Sequence, residues 1–124
     1  MSTFQDINAW KLAHKLVLSV YDVTKNFPEG EKFGLISQFQ RAAVSVPANI
    51  AEGFKRISRA DKLRFYNIAE GSLEETRYYV ILSRDICYIN EDQYNQLIQQ
   101  VENTSKALIG YSKGLLKSDF GKTC

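Results

Sequence analysis

A hydrophobic stripe that keeps its phase through a proline constrains this chain more than any other feature. Leu35, Phe39, Ala42, Ala43, Val46, Ile50 and Phe54 recur at steps of three and four, which places them along one side of a helix. Pro47 falls inside the stripe. It has no N–H to donate to the carbonyl of Ala43 and its ring presses on that turn, so a proline here bends a helix or ends it. Because the stripe resumes in phase at Ile50, the sequence predicts a single second helix from near Glu31 to Ile57, kinked at Pro47.

Three further helices follow from the same periodicity. The first is expected to start at Asp6 or Asn8, both good N-caps, and to bury Ala9, Ala13, Leu16, Val17, Val20 and Thr24 before Asn26, Phe27 and Pro28 end it. Ser58 and Asp61 have the spacing of a capping box, and they open a third helix over residues 59 to 88. Its core face reads Phe65, Ala69, Ser72, Leu73, Thr76, Val80, Ser83 and Cys87. Asn90 and Gln93 form a second box ahead of a fourth helix with Tyr94, Leu97, Ile98, Val101, Leu108 and Leu115 along one side. No strand pattern, repeat or low-complexity tract interrupts this plan. Short connections make neighbouring helices antiparallel, so the expected fold is all-α, an up-down-up-down four-helix bundle. Residues 1 to 5 are expected as a short tail and residues from about 118 to 124 as a frayed one.

At 124 residues the chain fits one domain with a sizeable core. A hydrophobic share of 44% beside 24% charged residues is that of a folded globule rather than a disordered chain. No apolar run approaches the ~20 residues that cross a bilayer, and MSTFQDINAW lacks the basic and apolar regions of a secretion signal, so a cytosolic protein without membrane contact is expected. Two cysteines without ligand-like neighbours imply free thiols: Cys87 as a small buried hydrophobe on an apolar helical face, Cys124 on a mobile end.

The residues that usually carry chemistry are scarce. His14 is the only histidine, and it lies at helical spacing from Trp10, Leu18 and Tyr21, with no GxSxG elbow to serve. A di-metal bundle site needs Glu-x-x-His on two helices, whereas Lys11 stands three before His14. Glu70 and Glu74 share a helical face, but no second acid faces them across a plausible site, so a solvated or salt-bridging role is expected. The glycines are isolated and form no phosphate loop. Neither enzyme, metal, cofactor nor small-molecule substrate is predicted.

Two surfaces remain as candidates for function. Net charge is only +2, yet Lys55, Arg56, Arg59, Lys62 and Arg64 against Asp61 concentrate +4 in ten residues. Such a knot neutralises phosphates without reading sequence, or it simply keeps a helix junction soluble. Phe54, Phe65 and Tyr66 flank it and either stack on unpaired bases or pack in the core. In the third helix Tyr78, Tyr79, Val80, Ile81 and Leu82 are consecutive and therefore surround the helix, with Tyr66 and Ile68 extending the apolar surface. A four-helix monomer cannot cover both sides. Self-association through Tyr66, Tyr78, Tyr79, Ile81 and Leu82 is the expectation, against the alternative of tyrosines lying open to water. A polar stripe of Arg41, Ser45, Asn49, Glu52 and Arg56 runs beside the apolar one on the second helix, as a water-facing side or as a channel or partner face.

The runs FGLISQ and QRAAVSVPANIAEGFKR, with AWKLA around Trp10, Phe27-Pro28, FYNIAEGSLEE and Tyr88-Ile89, resemble the proteins encoded in intervening sequences of bacterial 23S rRNA genes, the S23 ribosomal protein family. The resemblance covers roughly residues 4 to 90. It departs at Gln40, where a basic residue is more usual, and at Ile86-Cys87, where Leu-Gly is more usual. It implies a four-helix bundle without catalytic activity that forms closed rings, most often homopentamers. It also implies a tie to RNA, through ribosomal RNA and through a related, more basic branch, the accessory variability proteins of diversity-generating retroelements. The leading reading is a non-enzymatic homo-oligomer, a pentamer by preference, that holds structured RNA, or RNA with DNA, through Arg41, Lys55, Arg56, Arg59, Lys62 and Arg64. The alternative is a protein-protein scaffold whose positive knot has no nucleic-acid role.

Overall fold

The computed structural model describes residues 2–123, with side chains through residue 117. Four helices account for most of them: α1 (Asn8–Thr24), α2 (Leu35–Lys55), α3 (Arg59–Asp85) and α4 (Glu91–Thr123). Each helix packs on its two neighbours around a square: α1 on α2 and α4, α3 on α2 and α4. The most extensive seam is that between α2 and α3. This is the four-helix bundle that the periodicity predicts.

The stripes meet at the centre. Leu16 and Val20 of α1, Phe39, Val46 and Ile50 of α2, Leu73 and Val80 of α3, and Leu97, Val101 and Leu108 of α4 are all removed from water. Each such side chain contributes about 1.5–3 kcal/mol by burial before the entropy of ordering it is subtracted. All six residues expected inside from α1 are buried there. α2 runs unbroken through Pro47, whose ring joins the buried face.

Helix ends depart from expectation in instructive ways. Asp6 is not the N-cap of α1. It closes a 3₁₀ turn over Phe4–Asp6 whose cap is Thr3, and the two residues bond each other's backbone as a capping box. Those backbone N–H groups of Thr3 and Ser2 hold the Asp6 carboxyl below its ordinary range. The expected N-terminal tail is thus partly a built turn, and α1 starts after Ile7, which caps with no side chain. α2 starts at Leu35 rather than near Glu31. Glu31 lies in a 3₁₀ turn (Glu29–Glu31), and its Oε1 accepts from the Leu35 N–H at 3.3 Å, so it caps α2 from outside. The Tyr88 hydroxyl donates to the other oxygen at 2.8 Å.

α3 stops at Asp85, short of residue 88, because Cys87 takes the left-handed conformation with φ 65°. The Tyr88 N–H then reaches the carbonyl of Ser83 at 2.8 Å and the Cys87 N–H that of Arg84 at 2.9 Å, a Schellman ending. This corrects the burial expected of Cys87, which is an exposed thiol. The capping box of Asn90 and Gln93 forms as predicted, both of its bonds within 2.9 Å. The backbone of α4 stays helical to Thr123, past the point where fraying was expected. Cys124 and the side chains from residue 118 onward lie outside the described residues.

Candidate functional site

Residues 56–58 connect α2 to α3, and this short turn gathers most of the predicted cations. The Ser58 hydroxyl accepts from the Asp61 N–H at 3.1 Å and starts α3. Lys62, one turn into α3, folds back: its ammonium donates to the carbonyls of Phe54 at 2.7 Å and Gly53 at 3.3 Å. Both carbonyls lie at the negative pole of the α2 dipole, and that of Gly53 also accepts the Arg56 N–H at 3.2 Å. Lys62 is therefore a helix cap first, and the structure removes its charge from the outward-facing set.

The guanidinium groups of Arg56 and Arg64 each lie 4.7 Å from the centre of the Phe65 ring. Phe65 is only half-buried, so one aromatic ring holds two arginines in place at the surface. Arg56 also pairs with Glu52 one turn back, while Arg64 reaches Asp61 only at 3.9 Å. Lys55 is exposed at the last turn of α2, Arg59 is half-buried at the first residue of α3, and Ile57 between them is fully exposed. Arg41 does not join this group. It lies about four turns back along α2 and lines a cleft instead.

Tyr66 is the clearest correction among the predicted site residues. It is 0% exposed and belongs to the core, not to an outer face. Its ring lies over Gly53, where an added Cβ would come within 2.5 Å of Cε1, so the glycine of the AEGF run is what admits the tyrosine between α2 and α3. Burial, with the Tyr111 phenol beside it, pushes the Tyr66 hydroxyl well above the ordinary tyrosine range. That hydroxyl lacks a hydrogen-bond partner of good geometry.

The remaining aromatics of α3 divide by direction. Tyr78 is 57% exposed. Tyr79 is half-buried, packs 6.0 Å from Phe39 and donates its hydroxyl to Gln38 at 3.2 Å. Leu82 leans on the core, and Ile81 is half-buried. The ridge facing water is thus Tyr78 with Ile68, narrower than predicted.

A second apolar surface was not predicted at all. Tyr21, Phe33, Ile36 and Val44 line a cleft of about 690 Å³ between α1 and α2, and Phe33 is 89% exposed. Beyond Val44 a smaller hollow of about 280 Å³ continues along Trp10, His14, Pro47 and Ala48. Its signal was present in the sequence: Trp10, His14, Leu18 and Tyr21 recur at steps of four and three beside the core stripe of α1. His14 stacks on Trp10 there, 5.0 Å between ring centres.

The polar stripe of α2 is largely spent within the chain. Ser45 and Ser72 hydroxyls bond across the α2–α3 seam at 2.8 Å, and the Asn49 amide donates to the Ser45 carbonyl and hydroxyl. Glu52 and Arg56 pair with each other. Gln40, where the resemblance led one to look for a base, donates its amide to Thr24 at 2.9 Å and ties α2 to α1. Among the described residues no group of His, Cys, Asp and Glu is arranged to hold a metal, and no helix is long and apolar enough to cross a membrane.

Fold and turn together define a small helical bundle whose prominent surface features are a cationic end and two apolar faces. The chain belongs to the family described as 23S rRNA-intervening sequence protein, whose model matches residues 5–110. Its fold is similar to the crystal structure of a protein of unknown function from the S23 ribosomal protein family of Bacteroides thetaiotaomicron. That likeness has a TM-score of 0.78 and 27% identity, and covers 85% of this chain and 98% of that one. No curated protein matches the chain.

Proposed function

We propose that this protein is a non-enzymatic homo-oligomer of the cytosol that holds structured RNA by its backbone phosphates, with the α2–α3 turn as the contact. The observation that carries this reading is the pair Arg56 and Arg64 on the Phe65 ring, beside exposed Lys55. Guanidinium groups held against an aromatic ring lose little further side-chain entropy on binding; Arg64 reaches Asp61 only at 3.9 Å and keeps donors for an anion, while Arg56 shares its donors with Glu52. The family's description as an rRNA-intervening sequence protein supports RNA as the polyanion, as does the resemblance to retroelement accessory proteins. Repeating the turn on a ring, by preference a pentamer, sums a modest charge into a positive belt and adds avidity.

Filter binding to structured RNA over a salt series tests it. Log affinity is expected to fall steeply with log salt, and Lys55→Ala, Arg56→Ala and Arg64→Ala together to flatten the slope by about 2–3, since each phosphate contact contributes nearly one. Binding that is absent, or insensitive to salt and to the triple change, favours the alternative of a protein-protein scaffold.

A further inference from the structure

We propose that the RNA held at the α2–α3 end is double-stranded, and that Lys113 and Lys117 of α4 form a second row of phosphate contacts across the start of α3. The inference rests on the RNA reading above and deepens it: it names the strandedness of the ligand and two contact residues outside the turn.

Three contacts fix how α4 lies along α3. Tyr66 packs edge-on against Tyr111 at 5.3 Å, Arg77 bonds Glu102, and Arg84 lies 4.0 Å from the centre of the Tyr94 ring. In each pair the two residue numbers add to within one of 178, so the helices run antiparallel in a steady register. Lys113 therefore stands level with Phe65 and Lys117 level with Asp61, beside the first turns of α3 that carry Arg64. Both lysines are exposed. They follow Glu102 by about three and four turns, on the outward side of α4 that Glu102 opens toward α3.

Charge along α4 is biased toward the same end. Glu91, Asp92 and Glu102 lie in its first half, whereas the charged residues that follow, through residue 117, are Lys106, Lys113 and Lys117. These lysines differ in company. By the same register Lys106 stands level with Ser72, between Glu70 and Glu74 of α3, while α3 carries no acid from Arg64 to Ala69 beside Lys113. Asp61 comes three turns before Ser72, whose hydroxyl meets Ser45, and so lies on the side of α3 that faces α2, away from Lys117.

The two rows straddle the start of α3. Lys55 and Arg56 come from α2, Lys113 and Lys117 from α4, and these helices occupy opposite corners of the square. With packed axes about 8–10 Å apart, the rows stand roughly 11–14 Å from each other, with Arg64 between them. The wide, shallow minor groove of an A-form duplex presents a phosphate strand on either side, and proteins grip it by shape and backbone. A single strand is held differently, by stacking its bases on open aromatic rings. The rings of this turn are already taken: Lys62 lies over Phe54, Arg56 and Arg64 hold Phe65, and Tyr66 is buried.

Filter binding of the full chain to an RNA duplex of about 20 base pairs and to an unstructured polyuridine strand of the same length tests this. The duplex is expected to bind at least about tenfold more tightly. Lys113→Ala with Lys117→Ala is expected to weaken duplex binding and to reduce the slope of log affinity against log salt by about 1–2, while Lys106→Ala leaves both unchanged. All three positions are exposed and alanine suits a helix, so these variants are expected to keep wild-type circular dichroism. Lys113→Arg with Lys117→Arg is expected to retain the affinity, since the contact reads charge. Polyuridine bound as tightly as the duplex overturns the double-stranded ligand, and a double alanine variant no weaker than Lys106→Ala overturns the α4 row. Either result leaves the turn's own RNA contact standing when the changes at Lys55, Arg56 and Arg64 still reduce binding. A wild type that binds neither RNA overturns that contact and this inference together.

Discussion

The two ends of α3 solve one problem by different means. At its start, α2 must stop and α3 begin within three residues, and the chain does so with charge: the Lys62 ammonium donates to the Phe54 and Gly53 carbonyls at the end of α2 while Ser58 caps α3. At its far end α3 stops through backbone chirality, Cys87 in the left-handed region closing a Schellman ending, and α4 begins on the reciprocal bonds of Asn90 and Gln93. The far turn needs no cation. The first needs one, and it keeps Lys55, Arg56 and Arg64 around it in a cluster larger than capping requires. That excess over structural need, rather than the count of cations, is what makes the α2–α3 turn the stronger candidate for binding.

The sharpest way to break this contrast is to fill the space between α2 and α3. Gly53→Val would drive a side chain into the buried Tyr66 ring, and a loss of about 3 kcal/mol in urea unfolding is expected, the upper range for overpacking. Tyr66→Leu in the same chain should return part of that loss if the ring is the obstacle. A smaller effect separates capping from binding at the same turn. Lys62→Met keeps the apolar stem and removes the ammonium, so stability should fall by about 0.5–1 kcal/mol while RNA affinity falls less than it does for Arg64→Ala. Equal losses of affinity would return Lys62 to the binding set. The smallest effect lies at the far turn and has the opposite sign. Cys87→Gly relieves the cost of a left-handed non-glycine residue, and a gain of about 0.5–1 kcal/mol in thermal or urea unfolding is expected after the added freedom of glycine in the unfolded chain is subtracted. No gain would mean that the exposed thiol makes a compensating interaction.

The departures from the family pattern become intelligible in the same terms. Gln40, where the resemblance implies a base, donates its amide across the seam between α1 and α2. Cys87 stands where Leu-Gly would place glycine, and it adopts the conformation that favours glycine. Neither change unsettles the bundle, because one lies at a seam that a neutral amide can bridge and the other at a turn held by two further backbone bonds.

Much of this was legible in the residues themselves. The four helices, the core faces of α1 and α2 and the capping roles of Ser58, Asn90 and Gln93 all follow from which side of a helix a residue occupies, a local property that each turn repeats. The errors concern residues whose surroundings come from elsewhere in the chain. Tyr66 reads as surface until Gly53 is placed beneath it, Cys87 reads as core because the expected helix runs three residues past Asp85, and the α1–α2 cleft exists only once two helices stand side by side.

The sequence by itself determined that this chain forms four amphipathic helices and where its positive charge concentrates, since periodicity and composition are written along the chain. Only the tertiary structure decided which of those charges face water and which are spent on a neighbour's carbonyl, and which apolar residues remain uncovered. Those outcomes depend on where the next helix lands, and distances between helices are set by packing, not by spacing along the sequence.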